Sequence, residues 1–256
     1  ESLYSAAAET EDAALAVKGV TNSNSAGASW SRSEKTIATS EGFIGSYSSS
    51  SNSIVASVIA GKGSSMETDY AYSRARHRKD LSVATKIGSE AGERSVLRLN
   101  PTKVKSGPAP VVFEPRVANS MLRHLAQSIS GSSIARKTSF LRNQKEKLVF
   151  NQEITIIDDP HRSRGLISRP FDDEGAKTKK MILVKDGILQ SWILSSDSAR
   201  QLGMTTTGHA QRSISTPPAA SPSNLYIKSG SLTPNELISD IKEGVWITEL
   251  IGFGVN

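Results

Sequence analysis

The side chains of this 256-residue chain that could do chemistry are few and scattered. Four histidines, His77, His124, His161 and His209, stand far apart. No two of them share the three- or four-residue helical spacing that turns a pair of ligands towards one metal ion. His124 has Arg123 and Gln127 as neighbours, both poor metal ligands. There is no cysteine, which excludes a thiolate nucleophile, a disulfide framework and any Cys-ligated zinc. Asp158-Asp159 and Asp172-Asp173-Glu174 resemble paired carboxylates for acid–base work. Adjacent acids at a strand end point to opposite faces, however, and acids beside a loop glycine suit turn and capping roles better. No Gly-x-Ser-x-Gly elbow is present, and Gly61-Lys62-Gly63 lacks the spacing of a phosphate loop. What remains is a group on two long polar loops: Arg169, Asp172, Thr207, His209 and Arg212. These are the candidates for substrate binding, or for a hydrolase centre of another kind, but they contain no nucleophile–base signature. The residues alone therefore name no catalytic and no metal-ligating position.

The elements that must position those side chains mix two textures. Hydrophobic content is 37% and charged content 22%, within the globular range, and the length suits one large domain or two smaller ones. No run approaches the roughly 18 apolar residues of a membrane span, so the expectation is a soluble, cytoplasmic protein. Net charge is +6, from 31 basic and 25 acidic residues. The densest basic run, 74–79, has Tyr70 and Tyr72 nearby. That raises nucleic acid as a partner, against the plainer reading of a surface modestly rich in Lys and Arg. No helix-turn-helix, zinc-finger or RNP pattern accompanies the run. A start at Glu1 and an end just after a Gly-rich apolar segment read as a fragment of a longer protein.

Spacing predicts an Ala-rich helix over 3–18, with Leu3, Ala7, Ala14 and Leu15 on one face, then a polar loop over 21–28. Period-2 alternation predicts strands at 35–39, 42–47, 54–60 and 68–72, with the serines of 48–51 at an exposed edge or hairpin. A helix capped by Asp80 runs to Leu99, and a proline-punctuated connector over 100–110 divides the chain into halves at 1–100 and 101–256. The second half opens with a strand at 111–113 and a helix over 116–131 carrying Val117, Met121 and Leu125 every four residues, with Ala118, Leu122 and Ile129 beside them. A strand at 154–157 follows. Asp186-Gly187 then joins strands at 180–185 and 188–194, the strongest short-range hairpin signal in the chain. A short helix at 196–202, a capping box from Thr233 to Glu236 opening a helix that stops at Gly244, and a strand at 245–250 complete it. Hairpin groups separated by helices give the fold class α+β, two halves built on antiparallel β-sheets with packed helices.

In the second half the runs 110–118 (PVVFEPRVA) and 128–140 (SISGSSIARKTSF) resemble the PmbA (TldE) branch of the TldD/PmbA family. So do 156–160 (IIDDP), 168–171 (SRPF), 206–209 (TTGH), 222–226 (PSNLY) and 241–245 (IKEGV). In the first half 16–22 (AVKGVTN), 28–30 (ASW) and the stretch 70–77 are similar to that branch as well. The motifs are short, but their order and spacing cover nearly the whole chain.

Members of the family go under two descriptions, modulators of DNA gyrase and zinc metallopeptidases. The resemblance implies that the TldD branch holds zinc on a His-Glu-x-x-x-His helix with a cysteine downstream. Set against that pattern, the two histidine places fall on Leu122 and Gln127, the glutamate place on Arg123 and the cysteine place on Ile154. None of these supplies an imidazole, thiolate, carboxylate or general base. The implied role is a zinc-free, non-catalytic subunit that pairs as a dimer with a zinc-bearing TldD-type chain, in a complex that degrades unfolded peptides and trims microcin precursors. The alternative is a regulator of DNA gyrase, acting through nucleic acid or a gyrase-linked protein.

Overall fold

A computed structural model of the chain describes residues 2–250; the Gly-rich apolar stretch at the end of the sequence lies outside them. The chain divides into two compact units. One takes in the chain up to Lys35 together with Ser46–Lys105 and Arg164–Leu166. The other takes in Thr36–Gly45, Ser106–Ser163 and the chain from Ile167 onward. The architecture is α+β.

The first unit is built from α1 (Leu3–Leu15), β1 (Val20–Ala38) as far as Lys35, β2 (Ile44–Ala60) from Ser46 on, β3 (Glu67–Ala75) and α2 (Ala84–Leu97). The strands form one sheet in the order β1-β2-β3, with β2 and β3 antiparallel. Alternate residues of β2, Ile54, Ala56, Val58 and Ala60, are buried, as the two-residue period of a half-covered strand requires. Three of them share a core with Ala6 and Ala14 of α1 and with Ile87 and Ala91 of α2. The inward face of α1 is thus Ala6, Thr10 and Ala14, whereas Leu3 and Leu15, expected inside, are 47% and 42% exposed. Small residues win this face because the two helices come very close. A Cβ on Gly88 would stand 2.1 Å from the Thr10 carbonyl oxygen, which leaves no room for a larger side chain.

Two polar stretches fold otherwise than expected. Residues 21–28 are part of β1 rather than a loop, and 48–51 lie inside β2, the central strand, rather than at an edge or hairpin. The physical reason is cross-strand hydroxyl pairing. Ser29 Oγ meets Ser53 Oγ at 2.8 Å, Ser33 Oγ meets Ser49 Oγ at 2.9 Å, and Asn24 Nδ2 donates to Ser57 Oγ at 3.3 Å. A strand whose faces are satisfied this way carries no apolar alternation. Asp80 does not cap α2, which begins four residues later without a side-chain cap. It sits in a short 3-10 turn and accepts from Arg164 Nη1 at 2.6 Å.

The second unit holds β4 (Val111–Phe113), α3 (Pro115–Ser128), α4 (Gly131–Ala135), β5 (Ile156–Asp158), β6 (Met181–Lys185), β7 (Ile188–Leu189), α5 (Ser196–Gln201), β8 (Ala210–Gln211), β9 (Ala219–Ala220), β10 (Leu225–Ile227), α6 (Pro234–Ser239) and β11 (Val245–Ile247). Its main sheet runs β10-β5-β6-β7, antiparallel throughout. β8 pairs with β9, and β11 runs parallel to β4, an exception to the antiparallel rule of the rest. Leu183, Val184, Leu189 and Ile193 are sealed from water and pack with Leu125 and Ile129.

The β6–β7 turn is the predicted hairpin. Asp186 has φ 49° and Gly187 φ 77°, the pair of left-handed residues that a type I′ turn needs. β7 stops after two residues instead of running to Leu194: one further in-register bond, Gln190 N to Leu183 O at 2.8 Å, follows, and the chain then leaves the sheet to pair Ile193 with Ser130. The expected helix over 116–131 is two helices. Ser130 Oγ caps the second by accepting from the Ser133 amide, so Gly131 opens α4 rather than closing α3. Along α3 the buried positions are Val117, Leu125 and Ala126, while Met121, expected in the stripe, is 41% exposed. The Thr233–Glu236 capping box is present, but its helix ends at Ser239, with Ser239 Oγ bonded back to Glu236 O.

Candidate functional site

A cavity of about 450 Å³ opens in the second unit between α3 and the segment entering β10. Leu122, Arg123 and Gln127 of α3 form one wall, Ser133 of α4 closes one end, and Ser221 and Ser223 form the facing wall. Three of these, Leu122, Arg123 and Gln127, are the places where the resemblance sets the zinc ligands and the general base. The fourth, Ile154, does not line the cavity; it packs against the core beneath, as Leu122 partly does. The lining holds a guanidinium, two amides and hydroxyls, with no imidazole and no carboxylate. A zinc ion does not fit that donor set, because a fixed cation and neutral amides neither bind it nor activate its water. Among the described residues, no three His, Cys, Asp or Glu side chains gather where they could hold a metal.

The facing wall is held from behind by a buried polar network. Asp158, at the end of β5, is fully buried and accepts from Ser223 N at 2.7 Å, Ser223 Oγ at 2.6 Å and His209 Nε2 at 3.2 Å. With the Asp158 carboxylate facing Nε2 and the Thr207 carbonyl facing Nδ1, each ring nitrogen lies within hydrogen-bond distance of an acceptor. His209 Nδ1 lies 2.9 Å from both the carbonyl and the hydroxyl oxygen of Thr207. The Thr207 hydroxyl in turn accepts from the Leu194 amide at 2.7 Å. The His209 carbonyl accepts the Ser221 amide at 2.9 Å, and Arg169 Nη2 donates to Ser221 O at 3.3 Å.

Asp172, also fully buried, accepts from the amides of Glu174, Ala176 and Ala210. Asp173 accepts the Arg212 amide at 2.9 Å, and Glu174 Oε2 accepts the amide of Ser196. The two acid clusters thus organise turns, a helix start and the base of β8, which is chemistry of support. Of the five loop residues picked from the sequence, Arg169, Asp172, Thr207 and His209 come together in this network, and the Arg212 side chain stays exposed. None of the five lines the cavity. The polar side chains that do and that sequence reasoning passed over are Asn119, Ser130, Ser133, Ser221 and Ser223. The signal for the first lay in the four-residue spacing of Asn119, Arg123 and Gln127, a polar stripe along one helix face. Ser130, Ser133 and Ser223 lie in runs that carry the family resemblance, but nothing in those runs marks a place at the cavity, which the serines reach only through folding.

The basic run of the first unit is largely occupied within the molecule. Arg74 Nε donates to Ser51 Oγ at 3.1 Å. Arg76 donates to Ser50 O, Gly165 O and Leu166 O, and burial draws its guanidinium below its usual pKa.

Two family models match the chain. The PmbA/TldA metallopeptidase central domain covers residues 1–99, and the PmbA/TldA metallopeptidase C-terminal domain covers 106–256. Metalloprotease PmbA of Escherichia coli O157:H7 is 36% identical over 251 residues, 98% of this chain and 54% of that protein. The PmbA homologue of Haemophilus influenzae is 36% identical over 254 residues, again 98% of this chain and 54% of the relative. The chain thus spans about half the length of these relatives. Its fold is that of the crystal structure of TldE from Thermococcus kodakarensis, with TM-score 0.86 over 98% of this chain and 57% of that one, at 20% identity.

Proposed function

The chain belongs to the PmbA/TldD metallopeptidase family, and on that premise we propose that it is a zinc-free, non-catalytic subunit of a TldD/TldE-type peptidase complex. In this reading a TldD-type partner holds the zinc and performs hydrolysis, and the complex degrades unfolded peptides and processes peptide precursors. This chain supplies part of the peptide path. No catalytic step is assigned to its own residues.

One observation carries the reading. The cavity is present at the place the family's zinc helix would line, and its wall is Leu122, Arg123 and Gln127. A lining of this kind can receive a peptide but offers neither zinc ligands nor a general base, and that supports binding without hydrolysis. The deep network behind the facing wall supports the same reading. Asp158, His209 and Arg169 fix Ser221 and Ser223 in place, and pre-ordered walls lower the cost of binding a flexible chain.

The test is co-purification of the tagged protein from its native cell. A zinc-bearing TldD homologue recovered in equal amount supports the proposal. Recovery of the protein without such a homologue, together with zinc-dependent peptide cleavage by the protein itself, overturns it.

A further inference from the structure

Asn119, Arg123 and Gln127 follow one another at four-residue steps along α3 and all face the same cavity. Successive members rise by about 6 Å, so the ladder spans about 12 Å, the length of three to four extended residues. Among the described residues, none of the three side chains has a hydrogen-bond or ion-pair partner within the molecule. No acidic side chain lines the cavity, so Arg123 contributes an unbalanced positive charge to it. At one end Ser130 Oγ donates to Ser133 Oγ at 3.2 Å, which leaves the Ser133 hydrogen free to be donated in turn. Leu122, Ala126 and Leu225 add an apolar portion to the lining.

We infer that this cavity binds a carboxylate carried beside an apolar group, with the C-terminal residue of a peptide as its natural form. The planar guanidinium fork matches a carboxylate in two parallel N–H···O bonds. A single fixed cation flanked by neutral amides and a hydroxyl suits one negative charge better than a phosphate, which commonly collects several cations. The apolar portion takes the terminal side chain, and Asn119 and Gln127 offer paired donors and acceptors to the amides before it. The volume, about 450 Å³, falls within the usual range for a small-ligand site. The peptide as source rests on the subunit reading above; the carboxylate chemistry does not.

The experiment is fluorescence anisotropy on the full chain, without partner or zinc, using an amino-terminally labelled, unstructured heptapeptide ending in leucine. The free acid is expected to bind about tenfold more tightly than the same peptide with a C-terminal amide. Arg123→Gln is expected to remove that difference while leaving the melting curve unchanged, and Arg123→Lys to keep part of it. Displacement by N-acetyl-leucine assigns the affinity to the small carboxylate unit, and failure to displace assigns it to the peptide terminus; both keep the site. Equal binding of acid and amide, a difference that survives Arg123→Gln, or no binding of the acid at about 1 mM overturns the inference. Because no zinc or hydrolysis is measured, such a failure leaves the subunit proposal standing, and failure of co-purification leaves this one standing.

Discussion

His209 Nε2 lies 3.2 Å from Asp158 Oδ2, and the two side chains, fifty-one positions apart in sequence, are 3% and 0% exposed. In another setting a buried His–Asp contact would suggest the orienting half of a catalytic triad. Here the other ring nitrogen faces Thr207, whose hydroxyl accepts from the Leu194 amide and donates to the Leu194 carbonyl at 3.2 Å, and none of Asp158, His209 and Thr207 lines the cavity. The second carboxylate oxygen goes to the Ser223 amide. The pair acts on the backbone that walls the cavity.

Asp158→Ala is therefore expected to destabilise the protein by about 3–5 kcal/mol, since it leaves the Ser223 amide and hydroxyl and the His209 N–H buried without an acceptor. Urea unfolding checks the figure. A loss below about 1 kcal/mol would show that the network does not hold the wall.

Gly88→Ala tests the close approach of α1 and α2. In an ordinary helix interior this change stabilises by up to about 1 kcal/mol. With a Cβ placed 2.1 Å from Thr10 O, the sign reverses to a loss of about 1–3 kcal/mol. Thermal unfolding decides it, and a raised melting temperature would refute the packing described for α1 and α2.

Glu236 gives a pH dependence with a defined direction. Its carboxylate accepts the Thr233 amide and hydroxyl, both at 2.7 Å, and these bonds hold its pKa below the ordinary glutamate value, the backbone bond foremost. A depressed folded-state pKa contributes order to α6 that is complete above the unfolded value and is lost as pH falls through the folded value. Titration followed at the Thr233 amide by NMR is expected to show a midpoint below the usual range. Thr233→Ala should raise it, and an unchanged midpoint in that variant would contradict the capping box.

Leu183→Ala, in the strand that packs beneath α3, is expected to cost about 2–5 kcal/mol, because Leu183 is wholly buried in the core shared by Leu125, Ile129 and Ile156. Chemical denaturation measures it. A cost under about 1 kcal/mol would mean that this core does not support the cavity floor.

Local chemistry made part of this legible in the sequence. The Asp186-Gly187 turn and the Thr233–Glu236 box were readable because each is decided within four residues. β1 was hidden because the hydroxyl partners that make Ser29 and Ser33 good strand residues stand on β2. The break between α3 and α4 was hidden because Ser130 looks like any serine inside a periodic run until its hydroxyl takes the Ser133 amide. At the site, Leu122, Arg123 and Gln127 could be placed by resemblance and do line the cavity. Ser221 and Ser223 could not be, since Asp158, Arg169 and His209 bring them there from far along the chain. The loop residues chosen for binding were chosen for chemical type; Arg169, Asp172, Thr207 and His209 make hydrogen bonds to backbone and side chains within the fold, and Arg212 is exposed, placements that type alone does not give.

Binding without hydrolysis is proposed because Leu122, Arg123, Gln127 and Ile154 stand at the places the resemblance gives to the zinc ligands and the general base. The most direct test purifies this chain and a TldD-type partner separately, then measures bound zinc and cleavage of one unfolded peptide for each alone and for the equimolar mixture. Zinc and cleavage are expected only where the partner is present, with the mixture faster than the partner alone. Stoichiometric zinc on this chain alone, with cleavage abolished by a chelator, would contradict the account.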